Sequence, residues 1–573
     1  NTTAAQNTAV GQESLKANTT GTGNVAVGAE ALKTNTTGSY NTAVGLNALE
    51  NSDADSNAAF GTSALRANTT GASNVAVGRN SLLANTTGTR NIAIGHGAYD
   101  ASDTENDNLA IGFDAMTTNT AGGTSNVAIG NYSMDTLTSG DYNTAVGMHS
   151  MGAITTGGSN TAMGRNAGVA ITTGAQNVAI GAYALDTVST TNDSVAVGYY
   201  AMTSGTSAGI TAVGSHALQS LTDGVGHTAV GFETLMTATE HSYSTAIGYQ
   251  ALKVMGAAHA NTAVGYHAGL ATTTGASNTF VGSDAGLTNT EGEENVLVGA
   301  AAGDSVTTGS QNTGVGTNAL QATTTADGNT AIGRSALYTN TTGATNTAVG
   351  KNALYNNTDA TSNVGVGFSA GLHVTTGSYN TMVGLYAGAA ANGITTGSQN
   401  TIIGANTSTN AANGVGLITI GYNVAGQEDY HFTFGNGGSH RVYNAFNSNA
   451  SWTRSSDERK KTNIVDSTLG LDFINELRPV TFNWKDNRDF PETFDSYNAD
   501  ENEMDTDITM HGMLAQDVKS ALDKAGVDTF GGWAEEKDGS QSISQEMFVH
   551  PIIKAIQELS AEVKELKAKL KAK

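Results

Sequence analysis

Twenty-five glycines set the terms for any fold this chain adopts. They stand at positions 11, 28, 45, 61, 78, 95, 112, 130, 147, 164, 181, 198, 214, 231, 248, 265, 282, 299, 316, 333, 350, 367, 384, 404 and 421. Their spacings are 16, 17 or 18, with one of 20 leading into Gly404. A phase held over 400 residues is a repeat. Each glycine closes a word such as NTAVG (41–45). Asn stands four residues before the glycine in 20 of the 25 copies, and Val, Ile, Met or Phe one residue before it. Ala or Ser mostly follows three residues later, often with Leu or Gly next, and a polar turn such as NTTG (35–38) closes the unit.

Such a unit is too short for two helices and too β-branched for one. Thr8-Ala9-Val10 alternates faces as a strand does. Asn, Thr and Gly then supply tight turns, because Gly and Asn tolerate positive φ. The expected unit is a short strand, a turn, a second short strand and another turn. One unit cannot bury its own apolar face, so copies stack into parallel ladders over a thin core of Ala, Val and Leu. Asn at a fixed place in every coil forms a hydrogen-bonded ladder along the stack. The expected fold class is therefore mainly β, a parallel β-roll or β-solenoid of about 25 coils.

The words NVAVGAEAL (24–32) and NIAIGHGAY (91–99) resemble the repeats of the β-roll heads of trimeric adhesins. That resemblance implies a left-handed parallel β-roll with three chains side by side. Periodicity alone implies only that a thin coil leaves apolar surface for a neighbour to cover.

Composition narrows the chemistry. The net charge is −24, and an acidic chain lacks the clustered Lys and Arg that nucleic acid requires. There is no cysteine, hence no disulfide or thiolate metal site. No run of 18 apolar residues occurs, so no membrane insertion is expected. His96, His149, His216 and His267 are scattered and read as solvent-facing. The acidic stretches 51–57 and 100–108 lack the GGxGxD spacing of calcium solenoids and read as solvated turns. Neither metal nor cofactor is expected. The Asn-Thr-Thr sequons read as turn residues rather than glycosylation sites. The chain starts at Asn1 inside a repeat and without a Met, so a preceding natural segment is expected.

Beyond residue 450 the composition changes. All three prolines, all three tryptophans and 16 of the 26 Lys and Arg lie there, whereas 65 of the 71 glycines lie before it. The expected organisation is a repeat shaft over 1–424, a connecting β segment over 425–455, a small α+β domain over 456–550 and a closing helix over 551–573. Leu471, Ile474 and Leu477 fit a helical face, and VTFNW (480–484) reads as a strand. Ile552, Ile556, Leu559, Val563, Leu566 and Leu570 step by 4, 3, 4, 3 and 4, which is a coiled-coil seam.

The stretch SSDERKKTNI (455–464) has two readings. As a helix start, Ser455 is the N-cap and Glu458 completes a capping box. As chemistry, Ser456 is a nucleophile and Lys461 its base. On an ideal helix the two would point about 140° apart, so the dyad needs a loop or turn. A lysine base must also be neutral, which burial achieves by lowering its pKa.

RSSDERKKTNI (454–464), LRPVTFNWKD (477–486), HGMLAQDV (511–518) and the closing helix follow in one order. Together they resemble the C-terminal intramolecular chaperone domain of phage tail fibres and endosialidase-type tailspikes. The resemblance implies a homotrimer whose folding this domain drives before it cuts itself off. The cut falls between Ser455 and Ser456, with Ser456 attacking the Ser455 carbonyl and Lys461 taking its proton. Asp457 matches an acidic position after the serine. His511 and Gln516 fall in an HxGxxAQ-like element and receive supporting roles. This is a single-turnover self-cleaving endopeptidase, with backbone N–H groups for the oxyanion. The implied partners are two further copies of the chain, a host-surface glycan or protein receptor, and a virion tail reached through the preceding segment. The implied location is the virion. Two other readings carry distinct requirements. A bacterial or prophage-encoded surface adhesin needs an anchor, which KELKAKLKAK (564–573) is not. A polysaccharide-degrading tailspike needs paired carboxylates in a groove, and the acids here are dispersed over turns.

Overall fold

The computed structural model describes residues 3–572 apart from 120, 206–207, 241, 391–392, 438–439, 446–460, 501, 503 and 505. The chain divides into two compact units, residues 1–342 and 343–573.

The first unit is a parallel β-solenoid. Twenty three-residue strands, β1 (Thr8–Val10) through β20 (Thr330–Ile332), lie one per coil. Each pairs in parallel register with the strand one repeat away, as in Thr8↔Val25 and Ala9↔Ala26. The expected second strand is absent among the described residues. In its place a turn segment stacks on its neighbours by backbone bonds: Leu15 N–H donates to Ala31 O at 3.0 Å and Ala17 N–H to Lys33 O at 3.0 Å. The reason is backbone handedness. Glu30 (φ 61°) and Leu32 (φ 49°) sit in the left-handed region, and the same two positions recur coil after coil. Alternating left-handed residues coil the chain, so it cannot extend as a strand there.

The middle strand residue points inward. Ala26, Ala43 and Ala59 are fully buried, as are Leu32, Leu49 and Leu65 from the turn segment. The flanking strand residues face out, so Ile92 and Ile94 are each 38% exposed on either side of buried Ala93.

The asparagine ladder is present. Asn41 N–H donates to Asn24 Oδ1 at 2.9 Å, while Asn24 Nδ2 donates to Gly38 O at 2.8 Å in the next coil. One side chain thus satisfies a donor and an acceptor on the next coil. The closing glycine is required by space as well as conformation. Gly45 has φ +140°, and a Cβ there would lie 2.4 Å from Gly61 O.

The second unit begins with the same repeat. Strands β21 (Thr347–Val349), β22 (Val364–Val366), β23 (Thr381–Val383), β24 (Thr401–Ile403) and β25 (Ile418–Tyr422) stack in parallel. β26 (His431–Asn436) continues the parallel ladder, and β27 (His440–Ala445) folds back antiparallel onto it.

After the segment outside the described residues comes a small α+β domain. It holds α1 (Leu471–Glu476), β28 (Val480–Phe482), β29 (Met510–Gly512), α2 (Ala515–Lys524), β30 (Trp533–Glu535), β31 (Gln541–Ile543) and the 23-residue α3 (Val549–Lys571). Its core gathers Leu469, Phe473, Val518, Ala521, Leu522 and Phe548. Phe530 meets Phe548 edge-on at 5.3 Å, and Phe473 stacks on Phe548 at 6.4 Å. Of the expected helical face, Ile474 and Leu477 pack against this core and Leu471 is half-buried, while Phe473, not expected there, is the buried residue of α1.

Candidate functional site

The motifs of the C-terminal domain meet through specific contacts. VTF of β28 pairs antiparallel with MHG of β29, placing Thr481 opposite His511. Arg478, from the LRP motif, grips Asp517 Oδ2 through Nε at 2.9 Å and Nη2 at 2.8 Å. Asp517 lies in the first turn of α2, where a carboxylate also favours the helix dipole. The Glu558 carboxylate on α3 accepts from Leu471 N–H at 2.6 Å and so caps α1. Pro551 and Ala555 are the buried residues of α3. Neither Arg478 nor Glu558 is singled out by sequence reasoning. Arg478 had a signal, since it stands inside a quoted motif. Glu558 had none, because its partner lies 87 residues away.

Of the residues expected to carry chemistry, Ser455, Ser456 and Asp457 lie outside the described residues, as does the capping-box reading with Glu458. Lys461 is exposed, in a stretch without helix or strand. His511 is exposed on β29, and Gln516 is exposed at the start of α2. Neither fills the core, which α2 reaches through Val518, Ala521 and Leu522.

The repeat holds no comparable constellation. Among the described residues, no three His, Asp or Glu cluster as metal ligands. The acidic turns face solvent at Asp53 and Asp103, while Glu105 is buried, and their carboxylates are bonded to the chain. Asp53 Oδ1 accepts from Thr36 N–H at 2.8 Å, Thr37 N–H at 2.7 Å and Gly38 N–H at 3.2 Å. Burial pushes its carboxyl up, but these bonds outweigh it and hold the pKa below the ordinary carboxylate value. Glu105 accepts from Ser102 Oγ at 3.0 Å and from the N–H groups of Asp103 and Thr104 at 2.9 and 3.0 Å. Of the histidines, His96 is exposed as expected, while His149, His216 and His267 are half-buried. His96 stacks on Phe113 at 5.3 Å and His149 on Tyr132 at 4.9 Å. The sequon asparagines Asn18, Asn35, Asn68 and Asn85 are buried inside the coils.

Residues 456–527 match the protein family described as chaperone of endosialidase. No curated protein matches the chain. A β-solenoid followed by this chaperone domain fits a phage tail fibre or tailspike. Among the described residues, no helix is long and apolar enough to cross a membrane.

Proposed function

We propose that this chain is the shaft of a phage tail fibre or tailspike that attaches to the host surface. Its C-terminal domain aligns three chains and then cuts itself off between Ser455 and Ser456. The single observation that carries this reading is the match of residues 456–527 to an endosialidase chaperone, directly after stacked coils. The proposed boundaries are a shaft to 424, a connecting segment to 455, the chaperone to 550 and the closing helix beyond.

Two unpartnered surfaces support three-chain assembly. Ile552, Ile556, Leu559, Val563, Leu566 and Leu570 are 39–80% exposed along α3. An isolated helix with such a seam is marginal, and bundling covers it. On the first unit, the outer strand residues form a half-exposed row of Val, Ile and Thr that neighbouring copies cover. Assembly has a physical use. Every coil resembles the next, so unaided chains slip register, and non-local parallel pairing folds slowly. A globular clamp holds three chains in phase, and its removal leaves a shaft that cannot readily retrace its folding route.

Ser456 is the nucleophile and Lys461 the base. Lys461 is exposed in the single chain, so the burial that a neutral lysine needs comes from neighbouring copies. Cleavage is thereby tied to assembly. Lys461 takes the Ser456 Oγ proton, Oγ attacks the Ser455 carbonyl carbon, and water hydrolyses the resulting ester. The test is mass spectrometry of purified wild type beside Ser456→Ala. Wild type yields a 118-residue fragment beginning at Ser456, and the variant stays whole. An intact wild-type chain, or a variant cut at the same bond, contradicts the reading.

A further inference from the structure

The residues just after each closing glycine form a row along the first unit. In many coils they are small or polar, as at Ala29, Thr62, Arg79 and Thr317. Between Tyr183 and His267 most of them are rings, in two files. In one file Tyr183 stacks on Tyr200 at 4.7 Å, and Tyr200 on His216 at 5.8 Å. In the other, Phe232 lies nearly parallel to Tyr249 at 5.3 Å, and Tyr249 to Tyr266 at 5.4 Å. Tyr199 meets Tyr200 edge-on at 4.4 Å, and His216 meets Phe232 edge-on at 6.4 Å, so the files join. Tyr199, Phe232, Tyr249 and Tyr266 are 40–50% exposed, and a grouped apolar surface of this kind marks an interaction site.

The coil itself does not require these rings. Ala29 and Ala182 occupy the place of Tyr199 in coils with the same buried alanine, at 26 and 179. Contact between copies does not require them either. The outer strand row proposed to meet neighbouring copies runs along the whole unit, whereas the ring row gives way to Arg79 and Arg334 elsewhere. Such charges are depleted from the core of an interface.

Where the first file lacks a ring, it carries fixed polar groups. Gln250 Nε2 donates to Glu233 Oε2 at 2.7 Å, and Lys253 Nζ lies 2.6 Å from the same oxygen. His267 Nε2 lies 3.0 Å from Gln250 Oε1, and its Nδ1 lies 3.4 Å from Asp284 Oδ1. The cations beside the row are engaged: Lys253 with Glu233, and Arg165 over the Tyr183 ring at 4.8 Å.

We propose that this row is a binding platform for an uncharged polysaccharide lying along the shaft. The proposal rests on the host-attachment reading above and names the ligand class and its place. A sugar has an apolar C–H face and a rim of hydroxyls. Aromatic rings set among carboxylate, amide and imidazole groups suit both. Coils repeat at about 4.8 Å, close to the advance of one sugar in an extended chain, so successive sugars meet successive coils. Charge selects against acidic polymers, because Glu233 and Asp284 border the row and the chain carries −24 overall.

The test is binding of the purified full chain to an array of neutral and acidic bacterial polysaccharides. Wild type binds a neutral polymer. The triple variant Tyr199→Ala, Tyr249→Ala, Tyr266→Ala binds it about tenfold or more weaker, the loss expected of several ring contacts. Its particle mass by light scattering is unchanged, and Arg334→Ala, in the same row outside the rings, binds as wild type does. Wild type that binds no neutral polymer, or a triple variant that binds like wild type, overturns the platform. So does a triple variant that loses assembly, since a second copy then covers the row. Attachment is scored separately on a panel of whole bacteria. Cell binding that neither the triple variant nor periodate oxidation of the surface glycans reduces overturns the platform and leaves attachment standing. Wild type that binds no cells fails the attachment reading, and the array alone then decides the platform.

Discussion

A buried asparagine works at most rungs by accepting from and donating to the next coil at once. Asn295 accepts from Asn312 N–H at 3.0 Å and donates to Gly309 O at 2.8 Å. Asn295→Ala leaves both partners unpaired inside the coil, at about 1–3 kcal/mol each, and lowers the chemical-denaturation midpoint accordingly. Asn295→Ser is milder, because the Ser244 hydroxyl already serves Asn261 N–H at 3.3 Å in one natural coil. Asp53 supplies a pH dependence. Its folded pKa is depressed, so its contribution is present above the ordinary aspartate pKa near 3.9. It is lost as pH falls through the lower folded value. The stability difference between wild type and Asp53→Asn, measured by denaturation at stepped pH, shrinks below about pH 4. The asparagine role was legible because its spacing is fixed. The acidic turns were legible as solvent-facing turns at Asp53 and Asp103, but their bonding was not, because an isolated Asp in a sequence does not reveal which amides from the preceding coil will surround it.

Among elements, core volume is conserved by exchange. Where the inward strand residue is Phe280 rather than Ala, Gly269 and Gly286 replace the usual leucine, and a Cβ on either would lie 2.5 Å from the Phe280 ring. Met382 is flanked likewise by Gly371 and Gly388. Conversely, the small Gly314 faces Leu320. Interiors packed to near-crystalline density tolerate such trades and penalise one-sided changes. Phe280→Ala alone therefore costs about 3–5 kcal/mol, and Gly286→Leu alone is at least as damaging, both read as denaturation midpoints. The pair together recovers much of the loss, since it recreates the usual Ala and Leu arrangement. The period, the strand and its inward alanine were all legible in the sequence. The second strand was not, because its supposed residues include Leu32 in a left-handed conformation that propensity does not foresee. In the C-terminal domain the closing helix was legible from its seam. The cap that Glu558 gives α1 depends on tertiary approach and left no local trace.

At the scale of the whole molecule, the fold class and the chaperone motifs were readable, whereas the catalytic geometry was not. Ser456 lies outside the described residues, and Lys461 is exposed where a neutral base requires burial. That mismatch is what a site completed by neighbouring copies would show in one chain. Ile556→Asp places a charge on the α3 seam, where Ile556 is 61% exposed in the single chain, and it blocks both assembly and cleavage. Cleavage at the wild-type rate in a monomeric Ile556→Asp protein would separate the two events. The most direct measurement is light scattering on full-length Ser456→Ala, which keeps the clamp attached. The account predicts a particle of three times 58.2 kDa. A particle of 58.2 kDa would contradict it.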